Sequence, residues 1–254
     1  MDRDLTAADT AKTAAALRSQ LNQMAAASQV LERNTTDEKG RSYLAVINQS
    51  ICRMLRIVGR MELSHRLADE KVQLNPRHID LALRLEYLSN RLSGVLADIG
   101  VTFTLNAPGY LPVCADGELL QQMLLELISN MALAAAHITL TVTQKDSAVH
   151  FTLSDNGPGE AKDRPALPSV LEEDEEKASL ELARSIAALH GGTVVVSTDA
   201  DLALSMAVSI PLEKAPANLL ESPRTPWYSG GFDSVLVAMS GLLPARSFLP
   251  ENLG

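Results

Sequence analysis

The residues with the clearest chemical potential form a short turn, Asp-Asn-Gly-Pro-Gly, at residues 155–159. The carboxylate of Asp155 can accept a hydrogen bond from an exocyclic amine such as N6 of adenine. Gly157 and Gly159 allow the backbone to pass close beneath a flat base. The same residue types also suit an ordinary tight turn, so the turn alone does not decide between a nucleotide site and a plain connection.

A second polar pair, Glu126 and Asn130, lies upstream of the turn, and its members are four residues apart. An asparagine can offer its amide oxygen to Mg²⁺, which prefers oxygen ligands and shares its shell with phosphates. A positioned glutamate can orient water as a general base. Asp116 is a suitable N-cap for a helix that carries this pair on one edge. The apolar residues with helical spacing are Leu120, Met123, Leu124, Leu127, Ile128 and Met131.

The order of the remaining elements predicts a mixed α/β domain around these residues. Strands are expected at residues 138–143 and 149–153 before the turn. An acidic loop, a helix at residues 180–189 and two further strands near 193–197 and 203–210 are expected after it. Upstream, Asn75 and Pro76 predict the start of a helix that runs to residue 98 or 99 and precedes a strand at 101–105.

These motifs resemble those of the catalytic half of sensor histidine kinases, whose ATP-binding fold is shared with gyrase and MutL. Residues 124–132 resemble the asparagine box, residues 155–159 the first glycine box, and residues 182–192 the helix that ends in His-Gly-Gly. The resemblance covers roughly residues 5–212. It implies that ATP and Mg²⁺ are the cofactors, that Asn130 binds Mg²⁺ and that Asp155 reads adenine. It also implies that the backbone of Gly157 and Gly159 meets the base.

The amino-terminal third predicts two long helices, each with one apolar seam. Two antiparallel helices with one seam each bury it better when two hairpins form a four-helix bundle, and the resemblance also implies a homodimer. Helices packed in a core of ordinary length would satisfy the same pattern. The seams contain Ala14, Leu17, Leu21, Met24, Ser28 and Leu31, then Leu44, Ile47, Ile51, Met54, Val58 and Met61.

The sequence departs from the family pattern at the phosphoacceptor. Matching Leu17, Arg18 and Leu21 to the family's first helix places Ala15 where the acceptor histidine is expected, and the first histidine of the chain is His65. Alanine has no nucleophile, and covalent phosphoryl transfer to the protein requires one. We therefore expect a pseudokinase that acts through protein contacts, with a response regulator or a partner kinase as candidate partners.

The second glycine box is also altered. Counting back from His190 places Lys177 and Ser179 at its glycines, and five consecutive acidic residues, 172–176, precede them. Glycine amides at a helix start hold phosphate oxygens, whereas carboxylates repel a triphosphate. Lys177 can still neutralise phosphate as a point charge, so we expect nucleotide binding to be weak or lost. The alternative is an active ATP-dependent protein kinase or ATPase that uses Asn130 with Mg²⁺ and Glu126.

Composition and charge limit the remaining possibilities. The formal net charge of −9 argues against binding to nucleic acid or anionic membranes. No apolar run is long enough for a membrane span, and no signal-peptide core is present, so a cytoplasmic protein is expected. The fold class is α/β (α+β), with a dimerisation hairpin at residues 1–72 and an α/β-sandwich ATP-binding domain at 73–212. Residues 213–254 form a linker and an apolar tail, which we expect to dock on the body or on a partner.

Overall fold

The computed structural model describes residues 2–69, 72–155, 169–198, 204–214, 228–229 and 231–253. The helices are α1 (Asp2–Asn34), α2 (Glu38–Ala68), α3 (Leu81–Ala97), α4 (Gly117–Met131), α5 (Ser169–Leu189) and α6 (Ser234–Met239). The strands are β1 (Arg77–Asp80), β2 (Thr102–Asn106), β3 (Pro112–Ala115), β4 (His137–Lys145), β5 (Ala148–Asp155), β6 (Thr193–Thr198), β7 (Leu204–Pro211), β8 (Glu213–Lys214), β9 (Tyr228–Ser229) and β10 (Phe232–Asp233). Two 3-10 helices, Ala245–Phe248 and Pro250–Asn252, follow α6. The chain divides into two compact units, Met1–Val72 with Pro226–Gly254, and Gln73–Thr225.

The first unit is built on the hairpin of α1 and α2, which confirms the predicted helical hairpin. Asp37 caps α2 by accepting a hydrogen bond from the backbone N–H of Gly40 at 2.8 Å. This bond satisfies a backbone donor that has no partner within the helix, and it therefore stabilises the start of α2. The buried residues of the two helices include Ala14, Leu21, Ala25, Ser28, Leu44, Ile51, Leu55 and Val58.

The carboxy-terminal segment packs along α2 as the third part of this unit. Gln49 Nε2 donates to the carbonyl oxygen of Leu243 at 2.6 Å, and Arg53 Nε donates to that of Ser240 at 3.1 Å. Arg41 of α2 forms an ion pair with Glu251. The apolar side chains that this segment buries include Phe232, Val235, Leu236, Val237, Met239, Leu242, Leu243, Phe248 and Leu253. The apolar tail is therefore a structural part of the hairpin unit.

The second unit is a two-layer sandwich of helices and sheet, which confirms the α/β fold predicted for residues 73–212. Its main sheet has five strands in the order β2-β4-β5-β7-β6, with β2 and β4 parallel and the other pairs antiparallel. A three-stranded sheet has the order β1-β3-β8. Alternate residues of the central strands are buried, as expected for a sheet with one face against helices. They are Ile138, Leu140 and Val142 of β4, Val149, Phe151 and Leu153 of β5, and Met206, Val208 and Ile210 of β7.

Two elements differ from the predictions. The helix expected to start at Asn75 begins at Leu81, because residues 77–80 form β1 and pair antiparallel with β3. Asp80 is the residue that caps α3, since its side chain accepts from the N–H of Ala82 at 3.1 Å.

The acidic run at residues 172–176, expected as a loop, lies within α5, which begins at Ser169 rather than near residue 180. Glutamate is a good helix former, and acidic residues near a helix start interact favourably with the helix dipole. Within the part of the chain that the structure describes, no helix has both the length and the apolarity required to cross a membrane.

Candidate functional site

The start of α4 is fixed by Asp116, the residue predicted to cap it. Asp116 Oδ1 accepts hydrogen bonds from the backbone N–H groups of Glu118 at 3.2 Å and Leu119 at 3.1 Å. Its other carboxylate oxygen, Oδ2, accepts from the N–H of Asn75 at 3.0 Å. Because Asp116 is only 8% exposed, these bonds are shielded from water. They hold the helix that carries Glu126 and Asn130 in place.

Glu126 lies in the middle of α4 and is buried, with 7% of its surface exposed. Its carboxylate oxygen Oε2 accepts a hydrogen bond from Ser179 Oγ of α5 at 2.7 Å. Ser179 Oγ is also 3.1 Å from the carbonyl oxygen of Glu126, and Ser179 is only 2% exposed. The fold therefore joins two residues that are 53 positions apart in the chain.

The sequence predicts Ser179 only as a replacement for a glycine of the second glycine box. It does not predict the contact of Ser179 with Glu126. One feature of the sequence could have indicated this contact. Ser179 is a hydroxyl residue that lies three positions before the buried Leu182 on the same helix, so both side chains face inward. Helical spacing places Ser179 on the inward face but does not name its partner.

Asn130 lies in the last turn of α4, one helical turn after Glu126, and its side chain is half-buried. The backbone carbonyl oxygen of Asn130 accepts a hydrogen bond from the backbone N–H of Leu133 at 3.2 Å, so α4 ends directly after Asn130. The amide oxygen of Asn130 is the ligand type that Mg²⁺ accepts. The described residues contain no group of three or more His, Cys, Asp or Glu side chains placed to hold a metal. A metal at Asn130 would therefore depend on nucleotide phosphates for much of its shell.

Asp155 is the last residue of β5, opposite Ile138 of β4. Its Oδ1 accepts a hydrogen bond from the backbone N–H of Leu204, the first residue of β7, at 2.9 Å. This bond extends the β5–β7 pairing beyond its last pair, Ser154 with Ser205. A carboxylate has about four acceptor sites. Asp155 can therefore bind the N–H of Leu204 and still accept a hydrogen bond from an adenine amine. Gly157 and Gly159, the predicted base-facing glycines, lie outside the described residues.

Lys177, the predicted phosphate neutraliser, lies on α5 with an exposed side chain. It precedes the buried Ser179 by two residues. Residues two apart on a helix do not share a face, so Lys177 is directed away from the contact between Ser179 and Glu126. The structure thus brings Glu126 and Ser179 together but does not add Lys177 to this contact.

The end of α5 shows why the His-Gly-Gly motif has these residue types. His190 Nδ1 lies 2.9 Å from the carbonyl oxygen of Ile186, and Gly191 has a φ of +73°, which favours glycine. A Cβ on Gly192 would lie 2.4 Å from the carbonyl oxygen of Ser209 in β7, so only glycine fits there. The motif ends α5 and lets the chain turn closely against the sheet.

Comparisons with known proteins agree with this architecture. Residues 115–214 match the family described as "Histidine kinase-, DNA gyrase B-, and HSP90-like ATPase". No curated protein matches the sequence. Full-length ShkA in complex with AMPPNP has a TM-score of 0.65 and 22% identity, over 83% of this chain and 47% of that one. The Acinetobacter baumannii histidine kinase AdeS has a TM-score of 0.53 and 16% identity, over 78% of this chain and 96% of that one.

Residues 115–214 thus match a histidine kinase-like ATPase domain, and about four fifths of the chain has the fold seen in these two histidine kinases. The resemblance inferred from the sequence is confirmed at this level. The chain spans about half the length of ShkA, at 47%.

Proposed function

We propose that this chain is a signalling protein of the two-component type that acts through protein contacts as a pseudokinase. The observation that carries the proposal is Ala15, which lies on α1 with an exposed side chain at the position where the resemblance places the phosphoacceptor. An acceptor must be exposed to receive a phosphoryl group, and this position satisfies that requirement. The methyl group of alanine, however, cannot form a bond to phosphorus.

The hairpin surface supports a homodimer. Half of each predicted seam is buried within the chain, and the other half forms an apolar stripe that recurs every seven residues. On α1 the exposed fractions are 46% for Leu17, 47% for Met24 and 53% for Leu31. On α2 they are 42% for Ile47, 39% for Met54 and 41% for Met61. A stripe with this spacing fits a second copy of the hairpin in a four-helix bundle.

For the ATPase domain we propose weak binding of ATP with Mg²⁺. The support is the presence of Asp155 and Asn130 at the adenine and metal positions, together with the structural likeness to the AMPPNP complex of ShkA. The reason for weakness is that Lys177 and Ser179, which the resemblance places at two phosphate-facing glycines, lie inside α5, where backbone amides are engaged within the helix. Response regulators and partner kinases are the candidate protein partners.

The second candidate function is ATP-dependent catalysis, and the burial of Glu126 one turn before Asn130 favours it. In this arrangement a water held by Glu126 would attack the terminal phosphate. The hydrogen bond from Ser179 to the Glu126 carboxylate opposes this role, because that oxygen is already engaged. An ATP hydrolysis assay that compares the wild type with Glu126→Gln separates the two functions, since only an ATPase loses turnover in the variant.

The proposed function is tested by incubation with labelled ATP. We expect no acid-labile phosphohistidine in the wild type. Ala15→His is the matched variant, since it restores an imidazole at an exposed position with little effect on packing. A label on any histidine of the wild-type hairpin would refute the pseudokinase proposal, and a label on Ala15→His alone would identify the acceptor position.

A further inference from the structure

The hydrogen bond between Ser179 and Glu126 connects the two helices that flank the candidate nucleotide site. Both residues are buried, at 2% and 7% exposure, and the Oγ to Oε2 distance is 2.7 Å. A short bond to a carboxylate in a place shielded from water is stronger than a bond between neutral groups. We name the contact of Ser179 with Glu126 the α4–α5 junction.

The chemistry of the junction depends on the side chain at position 179. A glycine there would have no hydroxyl, and this hydrogen bond to Glu126 would be lost. With serine, the protein itself supplies this donor to the buried acid. A buried hydrogen bond to a carboxylate is costly to break, so this bond stabilises the contact between α4 and α5.

From this geometry we infer that Ser179 is a positioning residue that fixes the middle of α5 against α4 in the absence of nucleotide. The inference rests on the proposed function, in which position 179 is an altered nucleotide-site position. It adds that the altered position makes an internal contact with Glu126. Ser179 also keeps the Glu126 carboxylate engaged, so the residue that would activate water is held by the protein.

Hydrogen exchange of the backbone amides of residues 177–189, measured without nucleotide, tests this inference. Ser179→Ala should speed exchange in this segment roughly ten- to hundredfold, because a bond to a charged acceptor is lost. Ser185→Ala is the matched control on the same helix, since the exposed hydroxyl of Ser185 bonds only the carbonyl oxygen of Glu181 at 2.9 Å. It should leave exchange unchanged.

Glu126→Gln provides a second variant that keeps an acceptor but removes the charge, and we expect an intermediate increase in exchange. In the double variant, Glu126→Gln should add little to Ser179→Ala, because both remove the same interaction. The inference is overturned if Ser179→Ala exchanges like Ser185→Ala, or if the two substitutions are additive. A separate experiment titrates all variants with ATP and Mg²⁺ and tests the proposed nucleotide site. Absence of binding there would count against the proposed nucleotide site alone, since the exchange comparison contains no nucleotide.

Discussion

Asp155 makes a structural contact, and the proposed function gives it a second role in recognition. It fastens the start of β7 through the N–H of Leu204 at 2.9 Å, and the resemblance gives it the role of adenine reader. The two roles use different properties of the group. The hydrogen bond from the N–H of Leu204 needs only an acceptor oxygen, which asparagine also has. A hydrogen bond from an adenine amine is stronger when the acceptor carries a negative charge.

Substitutions at Asp155 should therefore separate stability from binding. Asp155→Asn should abolish the residual ATP binding, a loss of roughly ten- to a hundredfold in affinity, with little change in stability. Asp155→Ala should also lower the free energy of unfolding by about 1–3 kcal/mol, because the N–H of Leu204 loses its acceptor. Lys177→Gly is the control and should change affinity far less. Calorimetric titration and urea unfolding measure the two effects, and tight binding by Asp155→Asn would contradict the assignment.

Cys52 is a second informative residue, because it is completely buried in α2 and burial raises its pKa to about 12. Since thiolate is the reactive form, the folded protein should show one fast thiol, the half-buried Cys114, and one very slow thiol. Labelling with a thiol reagent at pH 8 and identification of the modified peptide measures this order. Cys52→Ala should remove the slow phase only, and faster labelling of Cys52 than of Cys114 would contradict the buried position.

The same raised pKa predicts the direction of a pH effect on stability. An unfolded thiol ionises at about pH 8.5, so the folded state binds the Cys52 proton more tightly than the unfolded state does. The contribution of Cys52 is complete below that pH and is lost as the pH rises towards 12. Urea unfolding from pH 8 to 10 should show a steeper loss of stability in the wild type than in Cys52→Ala.

At the scale of elements, the side chain of Asn48 on α2 connects this helix with α1 and with the carboxy-terminal segment. Ser28 of α1 donates to Asn48 Oδ1 at 2.5 Å, and Asn48 Nδ2 donates to the carbonyl oxygen of Phe248 at 3.3 Å. Asn48 is only 2% exposed. A buried polar residue of this kind fixes the register of packed helices, because a shifted register would leave it without partners.

Asn48→Ala should lower the free energy of unfolding of the hairpin unit by about 2–4 kcal/mol, because Ser28 and the Phe248 carbonyl lose their partner. Ser50→Ala is the matched control on the same helix, since its exposed hydroxyl bonds only the carbonyl oxygen of Val46 at 2.8 Å. That variant should remain within about 0.5 kcal/mol of the wild type. Equal stabilities of the two variants in urea unfolding would rule out the joining role of Asn48.

At the scale of the whole molecule, the first unit combines both ends of the chain, residues 1–72 and 226–254. The carboxy-terminal segment covers one side of α2, and the exposed stripe with Ile47 and Met54 remains on another. The carboxy-terminal segment therefore covers part of the hairpin, and the apolar stripe that the proposed homodimer would use stays exposed.

Ile47→Glu and Met54→Lys should dissociate the proposed homodimer, because each places a charge without a partner in the interface, which costs several kcal/mol. Ser19→Glu is the control, since it adds a charge at an exposed position of α1 outside the stripe. Light scattering at micromolar concentration measures the mass of each variant. A monomeric wild type, or a dimer that tolerates both stripe charges, would refute the dimer.

The sequence by itself determined the features that are encoded within one or two turns of chain. The apolar seams predicted the hairpin, Asp116 predicted the start of α4, and the strands expected at residues 138–143 and 149–153 are found as β4 and β5. The motif at Asp155 indicated the ATPase fold, which the family match at residues 115–214 supports. These signals are local because caps and periodic faces depend on neighbouring residues.

Only the tertiary structure decided which surfaces meet. It placed Ser179 on Glu126, fastened Asp155 to Leu204 and packed the apolar tail along α2. It also replaced the expected helix start at Asn75 by a strand, because pairing with β3 outweighs a local helix signal. These contacts join residues far apart in the chain, and their partners are chosen by the packing of whole elements, which no local pattern specifies.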